Sequence, residues 1–272
     1  KMIGAKPIFV DVEPETLILD INKVREAITP KTKAILLVSA NGRAPVSGID
    51  KFVSLSSEFG IPIIEDAAQS LGSFYENGTH VGRMGKIGSF SFSAPKIIST
   101  GQGGAIITDD DQLARKIRKL KDFGRSGGGN DIHDSIGYNF KFTELQACLG
   151  IAQMKKLEKR VERKKEIWKR YYQNLNHLSS VNLYINDTRY CAPWFIDCLV
   201  EDRDKLAEYL NNLGIGTRNM YPPINEQKAY NEIGHYPVSK NVGLKGLWLP
   251  SMIQLSDIQI DFICDKIIDF YN

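Results

Sequence analysis

Two stretches of the chain contain side chains that could take part in catalysis or bind a cofactor. One stretch is acidic, and the other ends in a lysine. The run Glu65-Asp66-Ala67-Ala68-Gln69 directly follows four apolar residues. The run Ser89-Phe90-Ser91-Phe92-Ser93-Ala94-Pro95-Lys96 alternates small polar and aromatic residues before the lysine. Pyridoxal phosphate needs an amine for its Schiff base, an acid that keeps its ring nitrogen protonated, and donors for its phosphate. These residue types together favour a pyridoxal phosphate site.

Each residue alone has a more ordinary interpretation. An aspartate that follows a strand often caps the next helix, and a single lysine is usually a solvated surface group. Lys96, however, precedes the glycine-rich stretch Thr100-Gly101-Gln102-Gly103-Gly104, where the backbone can approach a ligand closely. That stretch matches neither of the common glycine-rich nucleotide loops. We interpret it as the turn that passes beside the cofactor.

A parallel sheet is predicted to position these residues. Short apolar runs that read as strands cover residues 8–12, 34–38, 61–66, 88–93 and 104–108, with helical stretches between several of them. Near-continuous apolar strands are typical of a mostly parallel sheet covered on both faces, and such α/β sheets bind ligands beyond the carboxyl ends of their strands. Glu65 and Asp66 stand at such an end.

The second half of the chain changes character. A helix is predicted over 109–119, a flexible connector or lid over the glycine-rich residues 124–129, and a long helix from 143 to about 175. A strand over 191–200, a helix over 204–213 and a terminal helix over 256–271 with a Ser256 N-cap follow. We predict a large cofactor-binding domain over 1–160 and a small α+β domain over 161–272.

Composition excludes several classes of function. The chain has 272 residues, 42% hydrophobic and 25% charged, which is typical of a globular protein. Its net charge of +3 gives no case for binding nucleic acid or an anionic membrane, and the basic run 155–170 is interleaved with glutamates, as on a solvated helix face. No apolar run is long enough to span a membrane, and no signal peptide is recognisable. The four cysteines show no C-x-x-C pair, so we expect reduced thiols in a cytoplasmic protein.

The histidines do not predict a metal site. They occur singly, with no H-x-x-x-H spacing, and we expect each to be a surface or packing residue and the protein to hold no metal. The four are His80, His133, His177 and His235.

The ordered motifs of the chain resemble the DegT/StrS family of fold-type-I sugar aminotransferases. The matching motifs are Glu65-Asp66-Ala67-Ala68-Gln69, Gly82-x-x-Gly85, Ser89-Phe90-Ser91-Phe92, Lys96, Thr100-Gly101-x-Gly103-Gly104, Gly137-Tyr138-Asn139-Phe140-Lys141, Glu144-Leu145-Gln146-Ala147, Gly214-Ile215-Gly216-Thr217-Arg218 and Leu249-Pro250. The resemblance covers essentially the whole chain. It implies an aspartate-aminotransferase-like α/β fold and pyridoxal 5'-phosphate as cofactor.

The resemblance also implies roles for individual residues. Lys96 is expected to be the Schiff-base lysine and Asp66 the partner of the pyridine nitrogen. Gln69 is expected beside the ring near its phenolic oxygen, and Ser91 at the phosphate. Asn139 is expected to reach the phosphate of a neighbouring subunit, which implies a homodimer with shared active sites.

Substrate contacts are less defined. The resemblance places Arg218 and Tyr221 where the family faces its sugar nucleotide, although Tyr221-Pro222-Pro223 is equally typical of a rigid turn. Lys141 is a further substrate-binding candidate, and it stands where the family commonly has arginine, just as Gln102 stands where glutamate is common. Asn219-Met220 replaces a frequent histidine. Because arginine and lysine bind anions differently, we expect an altered substrate contact here.

Family members extend further at the N-terminus, by roughly a hundred residues, about one domain. That part carries a Gly-Thr phosphate loop and an aromatic residue that stacks on the cofactor ring. We therefore expect the pocket formed by residues 1–272 to be incomplete, with cofactor affinity affected.

The function implied is transfer of an amino group from glutamate to a nucleotide-linked keto-deoxysugar. Residues 137–150 look most like the enzymes that aminate C4 of 4-keto-6-deoxyhexoses, such as perosamine synthases, which serve glycan biosynthesis. Two alternatives stay open. One is the sugar 3-dehydratase branch, which has histidine where this chain has Lys96. The other is a regulatory or scaffold dimer of the same fold that does not turn over substrate.

Overall fold

The computed structural model describes residues 1–127 and 131–272. The first of the two sheets in these residues is mostly parallel. It consists of strands β1 (Ile35–Val38), β2 (Ile63–Asp66), β3 (Ile87–Ser91) and β4 (Gly104–Ile107), in that order. β1, β2 and β3 run parallel, and β4 is antiparallel to β3. The carboxyl ends of the three parallel strands therefore share one edge, as the sequence predicts.

Helices α1 (Ile21–Ala27), α2 (Ile49–Phe59) and α3 (Asp111–Lys121) accompany this sheet, with a 3₁₀ turn over Ala40–Gly42 after β1. The buried face of α2, formed by Phe52 and Leu55, packs with Leu37 of β1 and Ile63 of β2. α2 ends at Gly60, whose φ of 64° is left-handed, as helix C-termini commonly require. Asp110 caps α3 by accepting two backbone N–H groups, so this N-terminus is close to the predicted one.

A second, antiparallel sheet has the order β5-β6-β8-β7. Its strands are β5 (Val181–Leu183), β6 (Ile196–Val200), β7 (Arg218–Asn219) and β8 (Gly246–Leu249). The helices of this half are α4 (Glu144–Met154), α5 (Leu157–Leu175), α6 (Arg203–Asn212), α7 (Pro237–Lys245) and α8 (Asp257–Tyr271). Ile167 and Tyr171 of α5 pack with Ile263 of α8 against β6 and β8 in one buried cluster. Ser256 caps α8 in a capping box, as predicted.

The predicted strand over 8–12 is wrong. Within it only Val12 makes a bridge, with Leu19. The buried carboxylate of Asp11 instead accepts the backbone N–H groups of Val238 and Ser239, in the first turn of α7. This segment therefore caps a helix that is 227 residues away in the sequence, a contact that local alternation cannot indicate.

Two further boundaries differ from the sequence prediction. The helix expected from 143 to about 175 is two helices, α4 and α5, separated at residues 155–156. The strand expected over 191–200 begins only at Ile196, because residues 191–195 instead bind the segments that follow β1 and β2, through Asn41 and Ser73. Part of the glycine-rich connector predicted over 124–129 lies outside the described residues. None of the described helices is both long enough and apolar enough to cross a membrane.

Candidate active site

The carboxyl edge of the first sheet gathers the predicted chemical groups. Asp66 is the last residue of β2 and Ser91 the last residue of β3. The chain then turns, with the Lys96 N–H donating to the Ser93 carbonyl at 3.1 Å, and returns along β4. The parallel pairing of β2 with β3 therefore places Asp66, Ser91 and the turn that carries Lys96 on one side of the sheet.

Lys96 is half-buried, and its amine lies 3.6 Å from the centre of the Trp194 ring. The Trp194 indole N–H donates to the Pro95 carbonyl at 2.7 Å, which fixes the ring over the lysine turn. Burial lowers the pKa of Lys96 to about 8, and the negative charge of Asp66 acts in the opposite direction. A lysine with this pKa has an appreciable neutral, nucleophilic fraction near pH 7 to 8, which an ordinary lysine lacks.

Asp66 is not a helix cap. It is followed by a turn, and one carboxylate oxygen accepts the Ala68 N–H at 3.0 Å. The charge of this half-buried carboxylate acts on Lys96. A carboxylate in this position can keep a cationic nitrogen of a ligand protonated.

Glu65, its neighbour, has a structural role. Successive strand residues point to opposite faces, and the Glu65 carboxylate is fully buried on the other face. It accepts the Tyr75 hydroxyl at 2.6 Å and the backbone N–H groups of Gly82 and Gly85. A Cβ at Gly85 would lie 2.8 Å from the Ile63 carbonyl oxygen, so the close packing of this loop requires glycine.

Gln69 and Ser91 complete the donor set. The Gln69 carbonyl oxygen accepts the Asn41 backbone N–H at 2.8 Å, which leaves the NH₂ end of the amide to donate to a ligand. The Ser91 hydroxyl lies 3.1 Å from that of Ser93 and accepts the Ser93 N–H at 3.3 Å. An amine, a carboxylate, an amide donor and two hydroxyls on one sheet edge fit the groups of pyridoxal phosphate.

A cleft of about 280 Å³ opens beside the lysine turn. Its lining includes Pro95, Lys164, Phe195, Arg218 and Trp248. The Arg218 guanidinium lies 5.4 Å from the Trp248 ring centre. The structure therefore brings Arg218 to the same cleft as the lysine turn.

Tyr221 does not line the described cleft, but its exposed ring packs edge-on against Trp248 at 4.8 Å. It lies 6.0 Å from the Arg218 guanidinium. Tyr221 therefore flanks the mouth of the cleft.

Asn139 and Lys141 lie elsewhere, at the C-terminal end of α3. Asn139 is exposed and pairs through its backbone with Asp122. The Lys141 amine lies 3.5 Å from the Asp122 carboxylate and 4.4 Å from the Phe123 ring centre. Among the contacts of residues 1–127 and 131–272, none joins either residue to Lys96.

Three residues of the candidate site were not predicted from the sequence. Trp194 covers the lysine, and the buried Lys164 amine donates to the Trp194 carbonyl at 2.7 Å and to the Ser251 carbonyl. Burial lowers the pKa of Lys164 to about 8. Asn41 could have been found, since it follows β1 and parallel strands end at one edge. For Trp194 and Lys164, about 100 and 70 residues beyond Lys96, no local signal existed.

Comparisons with known proteins identify the family of the chain. Residues 1–268 match the model of the DegT/DnrJ/EryC1/StrS aminotransferase family. The GDP-perosamine synthase of Escherichia coli O157:H7 is 34% identical over 276 residues, which cover 100% of this chain and 75% of that protein. A pleiotropic regulatory protein of Geobacillus stearothermophilus is 31% identical over 279 residues, covering 99% of this chain and 73% of that protein.

A solved structure gives the same result in three dimensions. The crystal structure of a DegT DnrJ EryC1 StrS aminotransferase from Brucella abortus matches 100% of this chain and 75% of its own, with a TM-score of 0.89 and 28% identity. The predicted aminotransferase fold is therefore confirmed. The chain belongs to the DegT/DnrJ/EryC1/StrS aminotransferase family, and it is an enzyme that uses pyridoxal phosphate.

Proposed function

We propose that the protein aminates a nucleotide-linked keto-deoxysugar, a 4-keto-6-deoxyhexose, with glutamate as amino donor. The observation that carries this proposal is the half-buried Lys96 amine, placed against Trp194 and within the field of Asp66 on the ligand-binding edge of the sheet. The choice of a sugar substrate rests on the similarity to a GDP-perosamine synthase.

Each site residue has a proposed task. Bound pyridoxal phosphate supplies an electron sink for bond breaking at the substrate carbon. Lys96 holds the cofactor and, once released, carries a proton between the two carbons that exchange the amino group. Asp66 keeps the ring nitrogen protonated, Gln69 donates to the ring oxygen, and the Ser91 hydroxyl binds the phosphate.

The substrate is proposed to enter through the cleft beside Pro95. Arg218 is placed there to bind an anionic group, and Tyr221 borders the entrance. Lys141 is proposed to contact the substrate of a second subunit, since its amine contacts Asp122 and Phe123 in its own chain and makes no contact with Lys96 there.

We further propose a homodimer in which Asn139 reaches the cofactor phosphate of the other subunit. The exposure of Asn139 supports this role. A cytoplasmic location is proposed because all four cysteines are free thiols.

A second candidate is a regulatory role for this member of the family. The similarity to a pleiotropic regulatory protein favours it. The 3-dehydratase alternative is less favoured because Lys96 stands where that branch has histidine.

The test is an assay in which the protein is incubated with glutamate and a GDP-linked 4-keto-6-deoxyhexose. The amino sugar product is measured by chromatography. We expect amino sugar from the wild-type protein and none from Lys96→Ala, with fold and assembly unchanged. Turnover that survives in Lys96→Ala contradicts the proposal. A wild-type protein that binds pyridoxal phosphate but forms no product with any keto sugar favours the regulatory candidate.

A further inference from the structure

A buried asparagine links the candidate site to the second sheet. Asn41 lies in the 3₁₀ turn after β1 and is only 4% exposed. Its backbone N–H donates to the Gln69 side-chain oxygen at 2.8 Å. This bond sets the orientation of the Gln69 amide, because the oxygen end is engaged and the NH₂ end is left to face a ligand.

The Asn41 side chain points towards the second sheet. Its NH₂ group donates to the Phe195 carbonyl at 2.8 Å, and its oxygen accepts the Phe195 N–H at 2.6 Å. A third bond, at 3.0 Å, goes to the Asp197 carboxylate. The carboxamide therefore binds the Phe195 backbone in both directions, as a paired strand would.

The segment held in this way is the one that covers Lys96. Trp194 immediately precedes Phe195, and its ring lies 3.6 Å from the Lys96 amine. Lys164 holds the Trp194 carbonyl, while the indole N–H holds the Pro95 carbonyl. A single asparagine thus binds both the Gln69 amide and the segment that carries the Trp194 ring.

The residue type at position 41 is strongly constrained. Its φ of 54° is left-handed, which asparagine and glycine tolerate better than other residues. An aspartate would supply the acceptor but no donor, and a glutamine is one methylene too long for the observed pairing. Asparagine alone offers this conformation together with both halves of the pairing.

We propose that Asn41 is a positioning residue for Lys96, acting through the Trp194-Phe195 segment, and that its backbone N–H orients the Gln69 amide. The inference rests on the proposed function only for the roles of Lys96 and Gln69. The placement of Trp194 by Asn41 holds for the protein without cofactor.

The experiment uses Asn41→Gly, which keeps the left-handed backbone and the N–H to Gln69 and removes only the carboxamide. The Lys96 amine of the cofactor-free protein is labelled with acetic anhydride over a range of pH, and the labelled peptide is quantified by mass spectrometry. The charged groups near the amine are Asp66 of β2 and two residues of α5, Lys164 and Arg160. Lys164 donates to the Trp194 carbonyl, and Arg160 donates to the Ile97 carbonyl. The substitution leaves all of them in place.

We expect the labelling midpoint of the wild-type protein near pH 8. In Asn41→Gly the Trp194 cover loosens and water reaches the amine, so the midpoint rises by about one pH unit towards the ordinary lysine value. The matched control is Asn186→Ala, since Asn186 is equally buried and bonds Tyr184, Arg43 and the Cys191 thiol but neither Gln69 nor Phe195. The control is expected to leave the midpoint unchanged.

A double-mutant cycle separates positioning from general loss of stability. Trp194→Leu removes the cover directly, and the midpoint of the double variant with Asn41→Gly is expected to equal that of Trp194→Leu alone. An unchanged midpoint in Asn41→Gly overturns the proposal. So does an equal shift in Asn186→Ala, or additive shifts in the double variant.

The cofactor provides an independent readout. The dissociation constant of pyridoxal phosphate, measured by absorbance, is expected to rise about tenfold in Asn41→Gly, a loss of about 1.4 kcal/mol. The labelling midpoints of the variants could shift as expected while the wild-type protein binds no cofactor. That result would refute the proposed function and leave the positioning role of Asn41 intact.

Discussion

Lys96 has the properties of a reactive amine because of its surroundings. Burial under the Trp194 ring lowers its pKa to about 8, and Asp66 prevents a larger decrease. A lysine on an exposed helix would stay almost wholly protonated at neutral pH. Trp194 thus makes the Lys96 amine more reactive, and Asp66 supplies a charged partner for a bound ring.

The pKa of Lys96 predicts how loading with cofactor depends on pH. The neutral amine is the reacting form, and a lowered pKa means that this form is already abundant at a lower pH than for an ordinary lysine. The rate of pyridoxal phosphate binding, followed by absorbance from about pH 6.5 to 11, is expected to rise to half its maximum near pH 8. A midpoint near pH 10 would show that the amine is solvated.

Asp66→Asn is expected to impair amino transfer severely, by about 100-fold or more, because a neutral ring nitrogen is a poor electron sink. The same change removes the charge that raises the pKa of Lys96, so the loading midpoint should move to lower pH. Steady-state kinetics and the pH profile check the two effects separately. A mild effect on transfer would assign the ring nitrogen to another acid.

At the scale of elements, the sequence predicted the sheet edge on which Asp66, Ser91 and the turn that carries Lys96 lie. The sheet edge could be predicted because β2 is an apolar run that ends in Glu65-Asp66, and parallel strands share a carboxyl edge. Periodicity also located α8 with its Ser256 cap. The Trp194 cover and the Asp11 cap of α7 could not be predicted, because both depend on contacts between distant segments.

The α4 helix bears on the proposed dimer. None of its residues is buried, although it carries Leu145, Leu149 and Ile151, with Leu145 85% exposed. A helix whose large apolar side chains are all exposed in a single chain is typical of an element that is covered at an interface. We expect Leu145→Asp to weaken self-association at least tenfold in analytical ultracentrifugation.

The matched control is Ile233→Asp, which introduces the same charge at a fully exposed residue outside α4. It should leave self-association unchanged. Equal association of wild type and Leu145→Asp would place the dimer interface elsewhere.

At the scale of the whole molecule, an ion pair joins the two sheets. The Arg43 guanidinium lies 2.7 Å from the Asp197 carboxylate of β6, and both side chains are buried. Burial disfavours the charged guanidinium, but Asp197 keeps the pKa of Arg43 above its ordinary value.

We propose a division between the two domains close to residue 160. The first turns of α5 pack near Ile97 and Trp194, whereas its later turns pack in the core of the second sheet.

Asp197→Ala is expected to lower the free energy of unfolding by about 3–5 kcal/mol, because it leaves the Arg43 charge buried without a partner. Urea denaturation measures this loss. Arg25→Ala, which breaks the half-exposed pair with Glu58, should leave stability almost unchanged. Similar losses in the two variants would show that the Arg43–Asp197 pair is solvated.

The central claim is that Lys96 holds pyridoxal phosphate in an enzyme that transfers the amino group of glutamate. The most direct test is a visible absorption spectrum of the purified protein with pyridoxal phosphate, before and after addition of glutamate, beside Lys96→Ala. We predict a band from the lysine-linked cofactor that glutamate converts to the absorption of the pyridoxamine form, and no such band in the variant. A folded wild-type protein without the band, or an identical band in Lys96→Ala, would contradict the claim.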